Sequence, residues 1–385
     1  MRRVLHVMHS LERSGMETML LSSYDEWMRL GFDCDVLATA DAIGPVAEQM
    51  RASGYGLFHI PFRNGQSYLP RPAFVREFYA LCRSGYDVVH VHTEIAPPVV
   101  AVLAKIAGVK RIAVTPHNVF HFSGVLRARK FCERALVRLL GGRYGMISEG
   151  VTACEWERYR NRGIRTWNWI DTSHFRPPTR EERAAAREGL AIGDDQFVTL
   201  SVGNCNYAKN HGAILHALPL LPASLNLLHL HVGREEVGCP ERRIAAELGV
   251  ENNVRFLGSQ TDPLSSLWAA DAFLMPSHNE GLGLSAIEAV ATGLPLLCSE
   301  VQGLKDVAAE TKWTILTSTS ADSVAQAIMT LTAMPATRRR QNALEDSCRI
   351  RERFAVESGV RSITEGLYRD NMLATQIQQH EWMPS

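Results

Sequence analysis

The sequence predicts an α/β protein made of two successive doubly wound domains, each with its own parallel sheet. Short apolar runs alternate with helical patterns along all 385 residues. This alternation is typical of parallel sheets whose faces are covered by helices. Hydrophobic residues make up 46% of the chain, which is enough to form two cores of ordinary size.

The apolar runs are the predicted strands. In the first half they are Val4–Met8, Val36–Ala40, Leu57–Ile60, Val88–His92, Ile112–Thr115 and Gly145–Ile147. In the second half they are Phe197–Val202, Asn226–Val232, Val254–Leu257, Ala272–Met275, Pro295–Cys298 and Thr314–Leu316. Helical patterns lie between them, for example at Glu17–Leu30, Phe74–Arg83 and Val99–Ala107. Strands joined through helices are expected to run parallel.

The domain boundary is predicted at Pro177-Pro178, which precedes a charged stretch, Thr179–Arg187, typical of a linker. The predicted domains are residues 1–178 and 179–358, followed by a C-terminal segment, 359–385. The net charge of the chain is zero, but residues 1–175 carry +6 and the remainder −6. A basic first half is compatible with an anionic acceptor or membrane face, and equally with ordinary surface variation.

The cysteines and the apolar segments favour a cytoplasmic protein. None of the eight cysteines forms a C-x-x-C motif, and most lie among apolar neighbours, as reduced core thiols do. No uninterrupted apolar span reaches ~20 residues, so no transmembrane helix is expected. The first apolar run is short and contains His6 and His9, which favours a strand over a signal peptide.

The segment from Pro276 to Glu288 carries the clearest chemical signal. It follows a predicted strand, and a glycine-bearing turn between Glu280 and Glu288 can open a helix. A strand, a tight glycine turn and a helix place backbone N–H groups and a positive helix end in front of an anion. If residues 281–288 were all helical, the two carboxylates would lie roughly 12 Å apart along the axis. That distance suits a diphosphate with a sugar at each end, so the segment predicts a nucleotide-sugar site.

Several motifs in the right order resemble those of the retaining glycosyltransferases of family 4. The family hallmark, two glutamates separated by seven residues after a strand that ends in Pro-Ser, is matched by Pro276-Ser277, Glu280, Gly281, Gly283 and Glu288. Further matches are Ala289–Pro295, Val254–Gly258 with Asp262, Leu267–Asp271, and Asn168–Asp171 with Phe175 and Pro177. Trp169 stands where the family usually has glycine.

The resemblance implies the GT-B fold, in which two Rossmann-like domains face a central cleft. Residues 1–178 would then bind the acceptor and residues 179–358 the nucleotide sugar. The final helix often returns to the first domain in this fold, and Gly359–Leu373 is the candidate. The implied activity is transfer of a sugar from a nucleoside diphosphate to a hydroxyl acceptor with retention of configuration.

The resemblance also implies roles for individual residues. Glu288 would hold the ribose, and Glu280 would hold the donor sugar. The backbone amides on the donor phosphates would be those of Gly281, Leu282, Gly283 and Leu284. Lys209 would neutralise the departing diphosphate, and His117 would lie near the donor sugar and the reaction centre. The catalytic set is therefore predicted to be Glu280, Lys209 and His117.

Three further positions are predicted to contact the donor. Gly203 follows a strand directly, and Asn204 occupies the place where the family usually has an arginine. That change removes one positive charge, for which Arg234 or backbone amides could compensate. Gly15 matches a family loop that faces the donor phosphates, where Ser14 replaces a second glycine; a plain turn glycine is an equal alternative.

No metal and no cofactor is predicted. His90 and His92 lie on one face of a strand, but no third ligand at zinc spacing is evident. The family has a similar His-x-His at the end of this strand, so the resemblance implies packing and acceptor-side polar contacts. Asp33-Cys34-Asp35 imitates a metal-binding Asp-x-Asp, but it precedes a strand and is interpreted as a turn. Residues 125–140 predict a basic amphipathic helix, which either covers the sheet or contacts anionic lipid at the inner membrane face.

The predicted function is therefore a retaining, metal-independent hexosyltransferase. Its acceptor would be a glycan or lipid-linked intermediate of cell-surface polysaccharide synthesis, and no nucleic acid is expected as a partner. Two alternatives remain open. One is a nucleotide-sugar epimerase of GT-B fold, and the other is a catalytically weak partner subunit of a polysaccharide assembly complex, which Asn204 favours.

Overall fold

The computed structural model of the protein describes residues 1–63 and 69–369, which form two compact units. The first unit comprises Met1–Trp169 and the described part of Val356–Ser385, and the second comprises Ile170–Ala355. The second unit thus begins at Ile170, before the position 179 expected from the sequence. Residues 370–385 of the predicted C-terminal segment lie outside the described part of the chain.

A seven-stranded sheet forms the centre of the first unit. Its strands are β1 (Arg2–Met8), β2 (Phe32–Ala38), β3 (Gly56–His59), β4 (Val88–Val91), β5 (Arg111–Val114), β6 (Arg143–Met146) and β7 (Ile164–Arg165). The spatial order is β3-β2-β1-β4-β5-β6-β7, and all neighbours are parallel. The six predicted strands of this half are confirmed. The two-residue β7 was not predicted, because so short a strand has no periodicity.

The interpretation of Asp33-Cys34-Asp35 as a turn is wrong, because these residues lie inside β2. Buried Phe32 and Cys34 alternate with the half-buried aspartates, which is the period of a strand. Asp35 accepts a hydrogen bond from Arg3 at 3.0 Å and another from the hydroxyl of Tyr86. The carboxylate is therefore occupied by its neighbours in the sheet.

Within residues 1–63 and 69–169, seven helices precede the crossing to the second unit. They are α1 (Gly15–Leu21), α2 (Tyr24–Arg29), α3 (Ala47–Ala52), α4 (Pro72–Arg83), α5 (Pro97–Ile106), α6 (Gly124–Leu139) and α7 (Glu149–Tyr159). The single helix predicted over Glu17–Leu30 is divided in two at Ser23. The buried Ser23 hydroxyl donates to the Leu20 carbonyl at 2.9 Å and accepts from the Trp27 indole at 3.1 Å. Such side-chain bonds to the backbone compete with the helix.

The second unit is built on a six-stranded parallel sheet. Its strands are β8 (Phe197–Val202), β9 (Leu227–Val232), β10 (Val254–Phe256), β11 (Ala272–Met275), β12 (Leu296–Ser299) and β13 (Ile315–Thr317). The order is β10-β9-β8-β11-β12-β13, so the six predicted strands of this half are confirmed. The strand order reverses between β8 and β11. Ligands of doubly wound sheets bind beyond the carboxyl ends of the strands at such a reversal.

The longer helices of the second unit cover both faces of this sheet. They are α8 (Arg180–Gly189), α9 (His211–Ala217), α10 (Pro240–Glu247), α11 (Leu264–Ala269), α12 (Leu284–Ala291), α13 (Gln302–Ala309), α14 (Ala321–Ala333) and α15 (Ala336–Arg353). The charged stretch Thr179–Arg187, expected to be a linker, instead forms most of α8. Thr179 and Glu182 make a capping box, and Arg183 pairs with Asp271 at 2.7 Å.

The C-terminal residues complete the core of the first unit. Helix α16 (Val356–Ile363) is followed by a π-helical turn that ends at Tyr368. The Tyr368 ring stacks on Trp27 with centroids 5.9 Å apart, and its hydroxyl lies 2.7 Å from His90 Nδ1. Trp169, at the position of the usual family glycine, is 1% exposed and donates to the Met19 carbonyl at 2.7 Å. Its indole packs so close to α16 that only glycine fits at 359.

No helix in the described part of the chain combines the length and apolar character needed to cross a membrane.

Candidate functional site

An ion pair between Lys209 and Glu280 lies at the strand reversal of the second sheet. Lys209 Nζ is 2.7 Å from Glu280 Oε1, and the Ser277 hydroxyl donates to the same oxygen at 2.8 Å. Glu280 is 8% exposed and Lys209 is half-buried. Because an ammonium has three N–H donors, Lys209 can hold Glu280 and a further anion at the same time.

Three contacts fix the loops that carry this pair, residues 203–210 after β8 and residues 276–283 after β11. The His278 amide donates to the Ala208 carbonyl at 2.8 Å. The Asn210 amide donates to the carbonyls of Pro276 and Thr319, both at 2.9 Å. The rings of Tyr207 and His278 stack at 4.7 Å. The two loops are therefore positioned together, although they are far apart in sequence.

Glycines allow the backbone to approach closely at this edge of the sheet. Gly283 caps α12 with φ +78°, and a Cβ there would lie 2.6 Å from Leu304 Cδ2. A Cβ at Gly233 would lie 2.0 Å from the Gly203 carbonyl oxygen. Only glycine combines the left-handed conformation with this lack of space. The beginning of α12 can thus present its backbone N–H groups without a side chain in front of them.

Helix α12 is shorter than the sequence suggested. It begins at Leu284, so residues 281–283 belong to the loop, and the condition of the estimated separation between Glu280 and Glu288, an all-helical segment 281–288, is not met. Glu288 lies on this helix and is half-buried. Burial, followed by the nearby charge of Asp262, raises the pKa of Glu288 to about 8. The carboxyl is therefore mostly protonated at neutral pH, so it can both donate and accept a hydrogen bond.

Asn204 is used to hold the neighbouring loop. Its Oδ1 accepts from the backbone amide of Arg234 at 3.0 Å, and the amide of Cys205 donates to the Arg234 carbonyl at 2.9 Å. These bonds keep the backbone of Arg234 beside Asn204, and the Arg234 side chain is exposed. An arginine at position 204 could not accept the Arg234 amide in this way.

In the first unit, three histidines form a hydrogen-bonded row. His6 Nδ1 lies 3.0 Å from His92 Nε2, and His92 Nδ1 lies 3.0 Å from His117 Nε2. Burial lowers the pKa of His6 to about 3 and of His117 to about 4. These rings are therefore neutral at pH 7. The row fixes the orientation of His117 at the end of β5.

His6 is also a third imidazole beside His90 and His92, which the sequence did not reveal. It lies on β1, in register with His90 on β4. Both ring nitrogens of His90 are occupied, by Tyr368 at 2.7 Å and by Thr115 at 2.8 Å. The expectation that His90 has a packing role agrees with these contacts.

Gly15 is the first residue of α1 and is exposed. Two residues later, Glu17 is 6% exposed and accepts a hydrogen bond from the Ser14 hydroxyl. Burial raises the pKa of Glu17 to about 6. The sequence did not single out Glu17. An acidic residue in the first turn of a helix, three residues after a serine, is nevertheless a recognisable capping pattern.

The basic residues predicted on one outer face of α6 are divided between the interior and the surface. Lys130 and Arg134 are buried, whereas Arg127 and Arg138 are exposed. Lys130 pairs with Glu133 at 2.9 Å, and Arg134 pairs with Glu155 at 2.6 Å. The exposed part of α6 also carries the apolar side chains of Val125, Phe131 and Leu139.

Two doubly wound parallel-sheet units, with the candidate site at a strand reversal, define a protein of the GT-B class. The model of the family "Glycosyl transferases group 1" matches residues 182–344, and that of "Glycosyltransferase Family 4" matches residues 13–148. The second unit therefore matches the group 1 glycosyltransferases, and most of the first unit matches the family 4 glycosyltransferases.

Similar proteins agree with this assignment. EpsF of Bacillus subtilis (strain 168), which is named as a glycosyltransferase, is 26% identical over 313 residues, covering 78% of this chain and 79% of EpsF. Anabaena Alr3699/HepE in complex with UDP-glucose has a TM-score of 0.79 at 18% identity, covering 95% of this chain and 99% of that one. WaaG, a glycosyltransferase involved in lipopolysaccharide biosynthesis, has a TM-score of 0.73 at 17% identity, covering 95% and 100%. The two structural matches support the fold alone.

Most of the predicted donor-site residues lie on the two loops after β8 and β11 or on α12. Lys209 and Glu280 are in direct contact, with Gly203 and Asn204 on the same loop as Lys209. Gly281, Leu282 and Gly283 precede α12, while Leu284 and Glu288 lie within it. His117 and Gly15 belong to the first unit. Ser277 was quoted as part of a motif but was not assigned its contact with Glu280.

Proposed function

We propose that the protein is a retaining glycosyltransferase that moves a sugar from a nucleoside diphosphate to a hydroxyl acceptor, with no metal ion on the diphosphate. The observation that carries this proposal is the ion pair between half-buried Lys209 and buried Glu280 at the strand reversal. It combines one cation with a carboxylate that accepts hydrogen bonds. These are the groups needed to hold a diphosphate and the hydroxyls of a sugar.

The donor is proposed to lie along the loops after β8 and β11. Lys209 and the backbone amides from Gly281 to Leu284 supply the positive potential for the phosphates. Glu280 accepts from hydroxyls of the donor sugar, and Glu288 binds the ribose. The binding of UDP-glucose by HepE, a protein of the same fold, favours a nucleotide sugar of this kind.

The transfer breaks the bond between the anomeric carbon and the diphosphate oxygen, and forms one between the same carbon and the acceptor oxygen. As the family resemblance implies, the acceptor attacks on the face that the diphosphate leaves, and a phosphate oxygen takes the acceptor proton. Lys209 stabilises the negative charge that develops on the leaving diphosphate. This cation, with the α12 N-terminus, can supply the charge for which other enzymes use a metal ion.

His117 and Gly15 are proposed to contact the donor from the first unit, on the basis of the family resemblance. The hydrogen bond between His92 and His117 supports the role of His117, because it orients a neutral imidazole that can contact a sugar hydroxyl. The acceptor is proposed to be a glycan or lipid-linked glycan of cell-surface polysaccharide synthesis, as the role of WaaG in lipopolysaccharide biosynthesis suggests.

Helix α6 is the proposed site of any peripheral membrane contact. Val125 and Leu139 are 88% and 84% exposed, and exposed basic residues lie on the same helix. Apolar side chains beside cations favour the interface of an anionic membrane. This role would be at the inner membrane face, where lipid-linked acceptors are presented.

The first test is a melting-temperature screen with UDP-, GDP- and dTDP-sugars, followed by turnover with the sugar that binds. A donor at 100 times its dissociation constant should add about 2.7 kcal/mol to the free energy of unfolding. We expect Glu280→Ala to lose most turnover while its melting temperature without donor stays near that of the wild type. Glu345→Ala, which removes an exposed partner of Lys312 in the same unit, is the control.

Three outcomes would change the assignment. Unaltered turnover in Glu280→Ala would show that the chemistry lies elsewhere. A modified sugar nucleotide formed without any acceptor would indicate an epimerase. A catalytically weak partner subunit is the second candidate, because Asn204 lacks the usual positive charge. A large gain in turnover on Asn204→Arg would favour that candidate.

A further inference from the structure

A second cluster of polar side chains in the C-terminal unit has no part in the proposed donor site. Cys205, His211 and His231 lie on three different elements, the loop after β8, the start of α9 and β9. Their ligand atoms all lie within 4.8 Å of one another, and all three residues are buried. A tetrahedral zinc site with ordinary bond lengths places its ligand atoms about 3.5 Å apart.

The hydrogen bonding of this cluster is incomplete. Among the described residues, neither ring nitrogen of His211 has a hydrogen-bond partner, although His211 is only 7% exposed. The Gly203 carbonyl is close to the ring, but it makes no hydrogen bond of acceptable geometry. A buried imidazole without a partner is costly and uncommon in native proteins. A cation at the centre of the cluster would give one of the two His211 nitrogens a partner.

The other two ligands are already oriented toward the same point. Cys205 Sγ lies 3.3 Å from His231 Nε2. The opposite nitrogen of His231, Nδ1, lies 3.0 Å from the Ser201 hydroxyl, which fixes the ring. A hydrogen bond donated by the outer N–H of a histidine ligand is the usual support of a metal site.

A carboxylate beside Cys205 could reach the fourth position by a change of its side-chain rotamer, because none of its oxygens now lies within 4.8 Å of all three ligand atoms. Glu241 is 8% exposed, and its Oε2 has no hydrogen-bond partner within the described part of the chain. Burial, followed by this nearby carboxylate, raises the pKa of the Cys205 thiol to about 12. A bound cation would reverse that effect, since a coordinating thiol loses its proton to the solvent.

We propose that Cys205, His211 and His231 bind one Zn²⁺ ion, with Glu241 or a water molecule in the fourth position. Thiolate and imidazole together select zinc over the hard cations Mg²⁺ and Ca²⁺. The row of His6, His90 and His92 in the first unit is a weaker candidate. Both nitrogens of His90 are already hydrogen-bonded to groups outside that row, Tyr368 and Thr115, so His90 has no nitrogen left for an ion.

The proposed ion fastens both ends of the loop that carries Lys209. Cys205 and His211 flank this loop, so their coordination restrains residues 205–211 as a closed segment. The proposed ion does not bind the donor diphosphate, and its role is to stabilise the loop. The proposal therefore does not depend on the proposed activity.

Cobalt titration of the full-length protein tests the proposal. The protein is stripped with a chelator, kept under a phosphine reductant, and titrated with Co²⁺ and then with Zn²⁺. We expect one Co²⁺ per chain, with the thiolate charge-transfer band and the visible bands of tetrahedral cobalt, and displacement by Zn²⁺. Zn²⁺ should also raise the melting temperature and slow amide exchange in residues 204–210.

Matched variants locate the ion. Cys205→Ser should abolish the charge-transfer band, and His211→Gln should weaken binding more than about tenfold, the lower range for support residues of metal sites. Cys298→Ser, a buried cysteine on β12, and His216→Gln, an exposed histidine on α9, should bind as the wild type does. Metal-free Cys205→Ser and metal-free wild type should melt at similar temperatures, which separates loss of the ligand from loss of the fold.

Three results would overturn the proposal. They are the absence of a charge-transfer band in the wild type, unchanged binding in Cys205→Ser and His211→Gln, and loss of binding on His6→Gln with full binding in Cys205→Ser. The last result would assign the ion to the first unit.

Discussion

Glu288 is a carboxyl group whose charge state the fold changes. An exposed glutamate is ionised at neutral pH, but burial next to Asp262 raises the pKa of Glu288 to about 8. Between the ordinary pKa of 4.5 and about 8, the folded state keeps this proton more readily than the unfolded state does. The stabilisation that the proton provides is therefore lost as the pH rises through this window. A protonated carboxyl can donate to one ribose oxygen and accept from another hydroxyl, which agrees with its proposed role.

We predict that Glu288→Gln removes a pH dependence of stability. In the wild type the folded state holds a proton that the unfolded state has lost, so the free energy of unfolding falls as pH rises from about 4.5 to 8. The slope from one such group is at most about 1.4 kcal/mol per pH unit. Glutamine cannot ionise, so wild type and variant should diverge with increasing pH, the wild type becoming relatively less stable.

Urea denaturation at pH 5, 6.5 and 8 measures this difference. Glu300→Gln, an exposed glutamate after β12, is the control and should show a constant difference from the wild type. Glu17 also has a raised pKa and makes the free energy of unfolding fall with pH in the same way. Because Glu17 is present in the wild type and in both variants, its contribution cancels when each variant is compared with the wild type. If the free energies of unfolding of Glu288→Gln and the wild type changed in parallel with pH, the prediction would be contradicted.

At the residue scale, the sequence predicted which residues belong to the candidate site better than it predicted which of them contact one another. Glu280 and Lys209 were identified from their motifs, but 71 positions separate them and no local pattern indicates a direct ion pair. The same limit applies to His231, which only the pairing of β9 with β8 brings to Cys205 and His211. Asn204 was interpreted as the loss of a charge, whereas the structure shows a side chain that supports the Arg234 backbone.

At the scale of elements, the first turn of α12 depends on a single glycine. Gly283 has φ +78°, and the side chain of Leu304 occupies the space where a Cβ would lie. A non-glycine residue in this conformation costs about 1–2 kcal/mol, and the contact with Leu304 adds to that cost. Since α12 follows the loop that carries Glu280, strain here is transmitted to the candidate site.

We predict that Gly283→Ala lowers the free energy of unfolding by about 2 kcal/mol or more, and weakens donor binding. The measurement is urea denaturation with and without the sugar nucleotide found in the screen. The control is Gly189→Ala at the last residue of α8, where a Cβ meets no neighbour within 4 Å. That substitution should be neutral or stabilising by about 0.5–1 kcal/mol, because alanine favours a helix over glycine. Equal effects of the two substitutions would refute the argument from conformation.

The regular elements were the most predictable part of the fold, because apolar runs and helical periods are local properties. The errors occurred where a local signal was absent or misleading. Strand β7 has two residues, and the division of α1 from α2 depends on hydrogen bonds of Ser23. The charged surface of α8 resembled a linker, although Arg183 and Arg187 point inward to Asp271.

At the scale of the whole molecule, the first unit is made from two separate parts of the chain. Residues 356–369 contribute Val360, Ile363, Leu367 and Tyr368 to its core, where they pack with Trp27 and Trp169. The second unit is continuous in sequence. Family resemblance predicted the return of a C-terminal helix, but not the exact point at which the chain changes units. That point depends on Trp169, an unusual residue that packs into the first core.

We predict that Tyr368→Ala destabilises the first unit by about 3–5 kcal/mol, the usual cost of removing a buried aromatic ring. Amide exchange followed by mass spectrometry resolves the two units, and protection should fall in β1, β2 and β4 while β8 and β11 are unaffected. Tyr79→Ala on α4, where the ring is 37% exposed, is the control and should change protection little. A uniform loss of protection in both units would contradict independent cores.

This divided first unit has a consequence for synthesis on the ribosome. Its sheet is translated first, but the residues that close its core emerge only after roughly 190 residues of the second unit have been made. At 5–20 residues per second this interval is about 10–40 s. During that time Trp27 and Phe32 lack their final partners, so the nascent N-terminal unit is a natural substrate for chaperones, whereas the continuous second unit can fold as it leaves the exit tunnel.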